Sequence, residues 1–409
     1  MRARAAAGRG SGARGHLQDG PLTDVEALAE CDQAGRWQVT VLGEEPRPAY
    51  DRVALSSLFD GRTAADLDLV PPDCYDGRRY RLLLNQPVTR IDRAGRRVIT
   101  ATGDTYAYDA LVLATGSYPF VPPVPGHELP NSFVYRTIDD VEAIKAAVAR
   151  AKGRIDRPVG LVVGGGLLGL EAAHALRLLG VTPHVVELGP RLMPLQVDEG
   201  GGRLLKGLIE NLDVTVHAGA SVSAIRPDGE RMIATLSNGV APTVDVVVFS
   251  AGVRPRDQLA RENGLAVGER GGIVVDPACR TSDENVYAIG ECALVGGRVY
   301  GLVGPGYTMA QVVAERLTET ETAFTGADTS TKLKLLGVDV ASFGDALATT
   351  DGALEVAVSN QLAGSYAKLV VDRSRTVLGG VLVGDATRYP TLRGLVGKPA
   401  PADPLSLIA

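Results

Sequence analysis

The 409-residue sequence is short of most features that mark metal, membrane or nucleic-acid proteins. Aromatic residues make up 5% of it, with a single Trp, and it has only 5 His and 4 Cys. Cys31, Cys74, Cys279 and Cys292 contain no C-x-x-C or C-x4-C pair. That spacing excludes a zinc ribbon, a cysteine-ligated iron-sulfur centre or a redox-active disulfide built from them, and no metal site is expected. No apolar run approaches the roughly 18 to 20 residues that span a bilayer, so no membrane partner is expected. The net charge is -6 and the basic residues are dispersed apart from the first fifteen positions, which argues against nucleic acid as a partner. Residues Met1 to Gly15 are basic but lack the apolar core of a secretory signal, and with no disulfide framework the expected location is the cytoplasm.

What is present is apolar and glycine-rich: 45% hydrophobic residues and 49 Gly, in a length that suggests two or three domains. β-branched runs at Trp37 to Leu42, Ala110 to Ala114, Val159 to Val163, Pro183 to Glu187 and Val244 to Ser250 are each followed by a helical or glycine-rich segment. This alternation predicts an α/β protein with parallel sheets. Helices are predicted over Val141 to Ala151 and Leu167 to Leu179, the second closed by Gly180. The texture changes near Gly326 to Thr331. Beyond it, Lys332 to Val340, Glu355 to Ser359, Lys368 to Val371 and Val377 to Leu382 predict antiparallel strands of a small third domain.

The strongest local signal runs from Val159 to Glu171, an apolar strand leading straight into G-x-G-x-x-G and a helix. Gly164 would make the tight turn, Gly166 would admit a pyrophosphate, and Gly169 would let helix pack on strand. Leu167 and Leu168 would add first-turn amides. Glu187 ends the next strand 18 residues past Gly169, where a carboxylate accepts from ribose hydroxyls and repels a 2′-phosphate, so NADH is expected over NADPH. Arg191 is the contrary sign, since it could meet a 2′-phosphate. A second G-x-G-x-x-G, at Gly10, Gly12 and Gly15, follows nine residues without Val, Ile or Leu. It reads either as a weak phosphate loop or as a coincidence in a Gly, Ala and Arg-rich tail. Gly20-Pro21 would interrupt a helix after it, and Thr23 with Glu26 forms the nearest capping-box start. Trp37 to Leu42, followed by Gly43-Glu44-Glu45, has the form of a second nucleotide-unit strand ending in its ribose carboxylate.

Four stretches occur together in order: Glu44 to Ser57, Leu113-Ala114-Thr115-Gly116-Ser117-Tyr118-Pro119, Gly164 to Ala173, and Val286-Tyr287-Ala288-Ile289-Gly290-Glu291-Cys292. With Leu302 to Tyr307 and Thr331 to Val340, they make the chain resemble the FAD/NAD-binding portion of the large subunit of NAD(P)H-dependent assimilatory nitrite reductase, a pyridine nucleotide-disulfide oxidoreductase-like flavoprotein. The resemblance implies two Rossmann-like dinucleotide-binding domains, one for FAD and one for NAD, plus a small C-terminal α+β domain. The implied bounds are 1-120 with 256-325 for the FAD domain, 121-255 for the NAD domain and 326-409 for a C-terminal interface domain. By similarity, Glu44 would hold the adenosine ribose of FAD, Arg52 and Ser56 would line its phosphate and ribityl side, and Ala114, Thr115 and Gly116 would pass close to it. Gly290 and Glu291 would hold the ribityl chain. Gly306 and Tyr307 would precede a helix, Thr308 to Leu317, whose first amides face the reduced flavin. Glu171 would lie where nicotinamide meets flavin, and Gly252, in Ser250 to Pro255, beside the nicotinamide. Tyr50, Cys292 and Lys334 are expected to be a packing residue, a buried thiol and a surface lysine rather than proton donors.

The function implied is an FAD-dependent NADH oxidoreductase acting as the electron-input part of a nitrite reductase. Full-length members of that family continue into sirohaem and iron-sulfur modules. Four scattered cysteines cannot hold those centres, which leaves two readings open, a separate iron-sulfur/sirohaem polypeptide as acceptor or a truncated gene product, and a homodimer through the C-terminal strands is a further expectation by analogy. Two alternatives stay open at this point: a catalytically silent NADH-binding or scaffold protein that has lost FAD, and a stand-alone NADH oxidase.

Overall fold

The structure is a computed structural model and describes residues 20–69, 79–401 and 403–409. Gly10, Gly12, Gly15 and Cys74 lie outside them. The chain divides into two compact units, one made of residues up to Tyr118 together with Val253–Asp328, the other of Pro119–Gly252 together with Thr329–Ala409. Both are mixed helix and sheet, the α/β class expected.

In the first unit, two parallel strand pairs supply the apolar runs predicted there: Val39–Leu42 with Tyr80–Leu83, and Leu111–Leu113 with Val286–Ala288. A three-stranded antiparallel sheet of Val88–Asp92, Arg97–Thr100 and Thr105–Ala107 lies between them in sequence. The Gly20–Cys31 helix packs on the Val303–Leu317 helix through Ala27, Leu28 and Ala314, and the Trp37 indole Nε1 donates to the Leu317 carbonyl at 2.9 Å. The buried Asp32 receives the Arg36 and Trp37 amides and the Arg79 guanidinium, so its charge is fully compensated.

In the second unit, five parallel strands order as Thr215–Ala218, Thr182–Glu187, Val159–Val163, Val246–Phe249 and Ser132–Val134. The Leu167–Leu178 helix connects Val159–Val163 to Thr182–Glu187. Its buried residues, Gly169, Leu170, Ala172, Ala173, Ala175 and Leu176, recur at helical spacing. Burying Leu170 and Leu176 contributes about 1.5–3 kcal/mol each. The remaining residues form a separate antiparallel sheet, ordered Thr331–Leu335, Val338–Gly344, Val377–Gly384, Ser365–Val371 and Leu354–Asn360, with the short helices Tyr389–Arg393 and Pro404–Ile408.

Several predicted bounds are corrected. Among the described residues the first helix, Gly20–Cys31, already includes Gly20 and Pro21 and so does not wait for Thr23. The Val244 to Ser250 run is broken at Asp245, whose buried carboxylate accepts from Arg231 at 3.0 Å and from the Val159 amide at 2.8 Å. Lys332 to Val340 is two strands, turned by Leu336 and Gly337 at φ 50° and 90°, the left-handed pair of a tight hairpin. The last large helix begins at Val303, not Thr308, so Gly306 and Tyr307 lie inside it and the free first-turn amides belong to Val303 and Gly304.

Candidate functional site

In the second unit the predicted NAD residues converge at the C-terminal ends of the parallel strands. Gly164 leaves its strand at φ +119°, and a Cβ there would come within 2.2 Å of the Ser250 carbonyl oxygen. A Cβ on Gly169 would sit 1.9 Å from the Gly164 carbonyl oxygen. These two glycines are therefore required by backbone-to-backbone approach. Gly166, the N-cap of the Leu167–Leu178 helix, differs: nothing lies within 4 Å of where its Cβ would point, and no side chain caps the helix. Open space beside Gly166, at a helix N-terminus that no side chain caps, is what an anionic pyrophosphate needs. Gly252, at φ +98° and equally open, ends the loop from Ser250 that runs past Gly164.

The Glu187 carboxylate accepts from the Gly165 amide at 2.7 Å and from the Gly189 amide at 2.6 Å. Each oxygen keeps acceptor capacity for a ribose hydroxyl. Arg191 donates its Nε to the Val197 carbonyl at 2.8 Å and its Nη2 to the Pro194 carbonyl at 3.4 Å, which ties it to its own loop. Glu171, in the second turn of the helix, has its carboxyl pushed up to about 7 by burial alone.

In the first unit, Glu44, Thr115, Gly116, Gly290 and Glu291 belong to one neighbourhood, and an unpredicted residue joins them. The Arg256 guanidinium pairs with Glu44, its amide donates to the Gly116 carbonyl at 2.9 Å, and its own carbonyl accepts from Thr115 Oγ1 at 2.6 Å. Arg256 stands one position beyond the Ser250 to Pro255 stretch, so the sequence signal stopped just short of it. Ser117 Oγ donates to Glu291 Oε2 at 2.7 Å, joining the Ala114 turn to Gly290-Glu291. Gly116 and Gly290 are left-handed, at φ +66° and +71°, with nothing within 4 Å where a Cβ would point. This second open cradle fits a nucleotide cofactor. A Cβ on Gly306 would lie 3.5 Å from the Gly290 Cα, which seats the Val303–Leu317 helix against that turn, with Tyr307 partly buried in its second turn.

Arg52 and Ser56 lie at and within the 3-10 segment Val53–Phe59, and the Arg52 guanidinium pairs with Glu45 and donates to the Tyr50 hydroxyl at 2.8 Å. Tyr50 is buried and donates to Glu45 at 2.8 Å. Cys292 is buried, its thiol pushed up by burial and donated to the Leu113 carbonyl at 3.3 Å, so it is no ready thiolate. Lys334 is exposed. Among the described residues no metal-binding cluster occurs and no helix is long and apolar enough to cross a membrane.

Parallel strands that end in open glycine turns beside carboxylates form an α/β fold of the dinucleotide-binding class. The chain belongs to the pyridine nucleotide-disulphide oxidoreductase family, whose profile matches residues 25–323, and residues 330–399 match the rubredoxin NAD+ reductase C-terminal domain. Family members bind FAD and NADH, and this chain carries the oxidoreductase domain of that family. It is 48% identical over 387 residues to the nitrite reductase [NAD(P)H] large subunit of Klebsiella oxytoca, covering 94% of this chain and 40% of the relative. It is 45% identical over 389 residues to the nitrite reductase (NADH) large subunit of Escherichia coli (strain K12), covering 94% and 45%. The chain thus spans less than half the length of these curated relatives. Among solved structures it resembles a ferredoxin reductase from Rhodopseudomonas palustris, with a TM-score of 0.79 and 26% identity over 90% of this chain and 89% of that one.

Proposed function

We propose that this chain is the NADH-oxidising, FAD-dependent electron-input part of a nitrite-reducing system, working in the cytoplasm. The observation that carries the nitrite assignment is the 45 to 48% identity to nitrite reductase large subunits across 94% of the chain. Gly164, Gly166 and Gly169, with the Leu167 and Leu168 amides, would hold the NADH pyrophosphate, and Glu187 its adenosine ribose. Gly252 would pass beside the nicotinamide. Glu44, paired with Arg256, would hold the FAD ribose, and Ala114, Thr115, Gly116, Gly290 and Glu291 would line its ribityl side. The corresponding domains would be 1-120 with 256-325 for FAD, 121-255 for NAD and 326-409 for an interface.

FAD held by these residues would supply the chemistry that couples a hydride donor to a one-electron acceptor. The protein's own residues position the two nucleotides and balance charge around them, so no Ser, Cys or His nucleophile is required. A carboxyl with a midpoint near 7, such as Glu171, can hold or release a proton at neutral pH, and we assign it to the nicotinamide side. The acceptor is an iron-sulfur or sirohaem centre outside the described residues. The ferredoxin reductase likeness supports an iron-sulfur acceptor, as that protein's name pairs it with one.

Purified chain supplied with FAD should oxidise NADH with an artificial one-electron acceptor. It should reduce nitrite only when a sirohaem partner is added. NADH binding with no flavin uptake and no turnover would instead identify a binding or scaffold protein.

A further inference from the structure

The Glu199–Glu210 helix opens with three consecutive glycines, Gly200, Gly201 and Gly202. Each costs up to about 1 kcal/mol relative to Ala in a helix, so the fold must need bare backbone there. A Cβ on Gly200 would lie 2.6 Å from the Tyr366 ring, and one on Gly202 would lie 2.7 Å from Arg191 Cδ. One helical turn is therefore covered by Tyr366, from the antiparallel C-terminal sheet, and by Arg191, from the loop that follows Glu187.

Asp198 ties these parts together. It caps the helix by accepting from the Gly201 amide at 3.1 Å. Its Oδ2 accepts from the Tyr366 hydroxyl at 2.6 Å and lies 3.4 Å from Lys368 Nζ, which also pairs with Glu355 at 2.9 Å. Lys368 is 1% exposed, a buried cation balanced by two carboxylates, and such a cation resists displacement because removing its partners strands a charge. Immediately before Asp198, the Val197 carbonyl receives Arg191 Nε. At the other end of the loop Glu187 receives the Gly189 amide. The loop 188–197 is thus pinned at one end by the ribose carboxylate and at the other by the C-terminal sheet, within one compact unit.

We propose that Tyr366 and Lys368 are positioning residues for the adenosine half of NADH, acting through Asp198 and the 188–197 loop to hold Glu187 in its receiving geometry. The inference rests on the NADH assignment above. It gives the C-terminal sheet a part in nucleotide recognition, through preorganisation rather than contact.

The test uses the full chain and ADP-ribose, which carries the adenosine ribose and pyrophosphate but no nicotinamide and needs no flavin to be read out. Tyr366→Phe keeps the ring over Gly200 and removes only the hydroxyl; Lys368→Met removes the cation. By calorimetry both should weaken ADP-ribose binding about threefold to thirtyfold. The KM for NADH should rise in step with kcat unchanged. Turnover with reduced nicotinamide mononucleotide, which lacks the adenosine half, should not change. Folded Tyr366→Phe protein that binds ADP-ribose as the wild type does, or that loses rate equally with both reductants, would overturn the proposal, and this variant decides alone if Lys368→Met fails to fold. Wild-type chain that ignores ADP-ribose would instead sink the NADH assignment itself, and this inference with it.

Discussion

The Gly165 amide donates a 2.7 Å hydrogen bond to Glu187, so the glycine turn after one strand and the carboxylate ending its neighbour form a single unit. The carboxylate shapes the turn as well as facing the ribose. Glu187→Gln keeps one acceptor oxygen and removes the charge. NADH should bind about tenfold more weakly, in line with the worth of a hydrogen bond to a charged group, and the preference over NADPH should narrow. The ratio of kcat/KM values for the two nucleotides reads this directly, and an unchanged ratio would remove Glu187 from recognition.

Two glycines of the same motif should behave oppositely. Gly169→Ala forces a methyl to within 1.9 Å of the Gly164 carbonyl and should destabilise the fold by about 1–3 kcal/mol, as overpacking does. Gly166→Ala meets open space and should cost under about 1 kcal/mol, as exchange of one N-cap for a poorer one. Both should weaken NADH binding. Urea unfolding beside NADH titration separates them, and equal destabilisation would contradict the open cradle at Gly166.

Glu171 makes stability depend on pH. Its folded carboxyl titrates at about 7, against roughly 4.3 in an unfolded chain. Between these values the native state holds a proton that the unfolded state lacks, so its contribution to stability falls as pH rises from about 4.3 to 7 and is flat above. Glu171→Gln should therefore leave stability near pH 4 unchanged and raise it by about 1–3 kcal/mol at pH 8. Parallel pH profiles of the two proteins would contradict the burial of this carboxyl.

On the flavin side, Glu44 and Arg256 form an exposed pair, which is worth little to the fold. Glu44→Gln should change unfolding stability without FAD by under about 0.5 kcal/mol. FAD affinity should fall about tenfold, again the scale of a charged hydrogen bond, as measured by quenching of flavin fluorescence. Loss of stability with intact affinity would assign Glu44 to the fold instead.

The sequence revealed most where one physical requirement left an unbroken trace. Val159–Val163 is buried at four of its five positions, so it reads as a continuous apolar run, and Gly166 and Gly180 flank the next helix at its two ends. Legibility failed where a residue served a tertiary partner. Asp245 interrupts an apolar run because Arg231 and the Val159 amide need a buried carboxylate. Leu336 is a buried apolar residue in a left-handed turn, which hides a hairpin inside what looks like one strand. Gly304, Pro305 and Gly306 disguise the first turn of the Val303–Leu317 helix. Arg256 and the Tyr366, Lys368 and Asp198 cluster carry no local motif, since their partners lie far away in sequence.

Whether this chain passes electrons from NADH to FAD is read most directly by anaerobic titration of the FAD-supplied chain with NADH, followed by visible absorption. The bound-flavin spectrum should bleach on addition of stoichiometric NADH and much less readily with NADPH. A chain that takes up no FAD, or holds FAD that NADH leaves oxidised, would contradict that electron transfer.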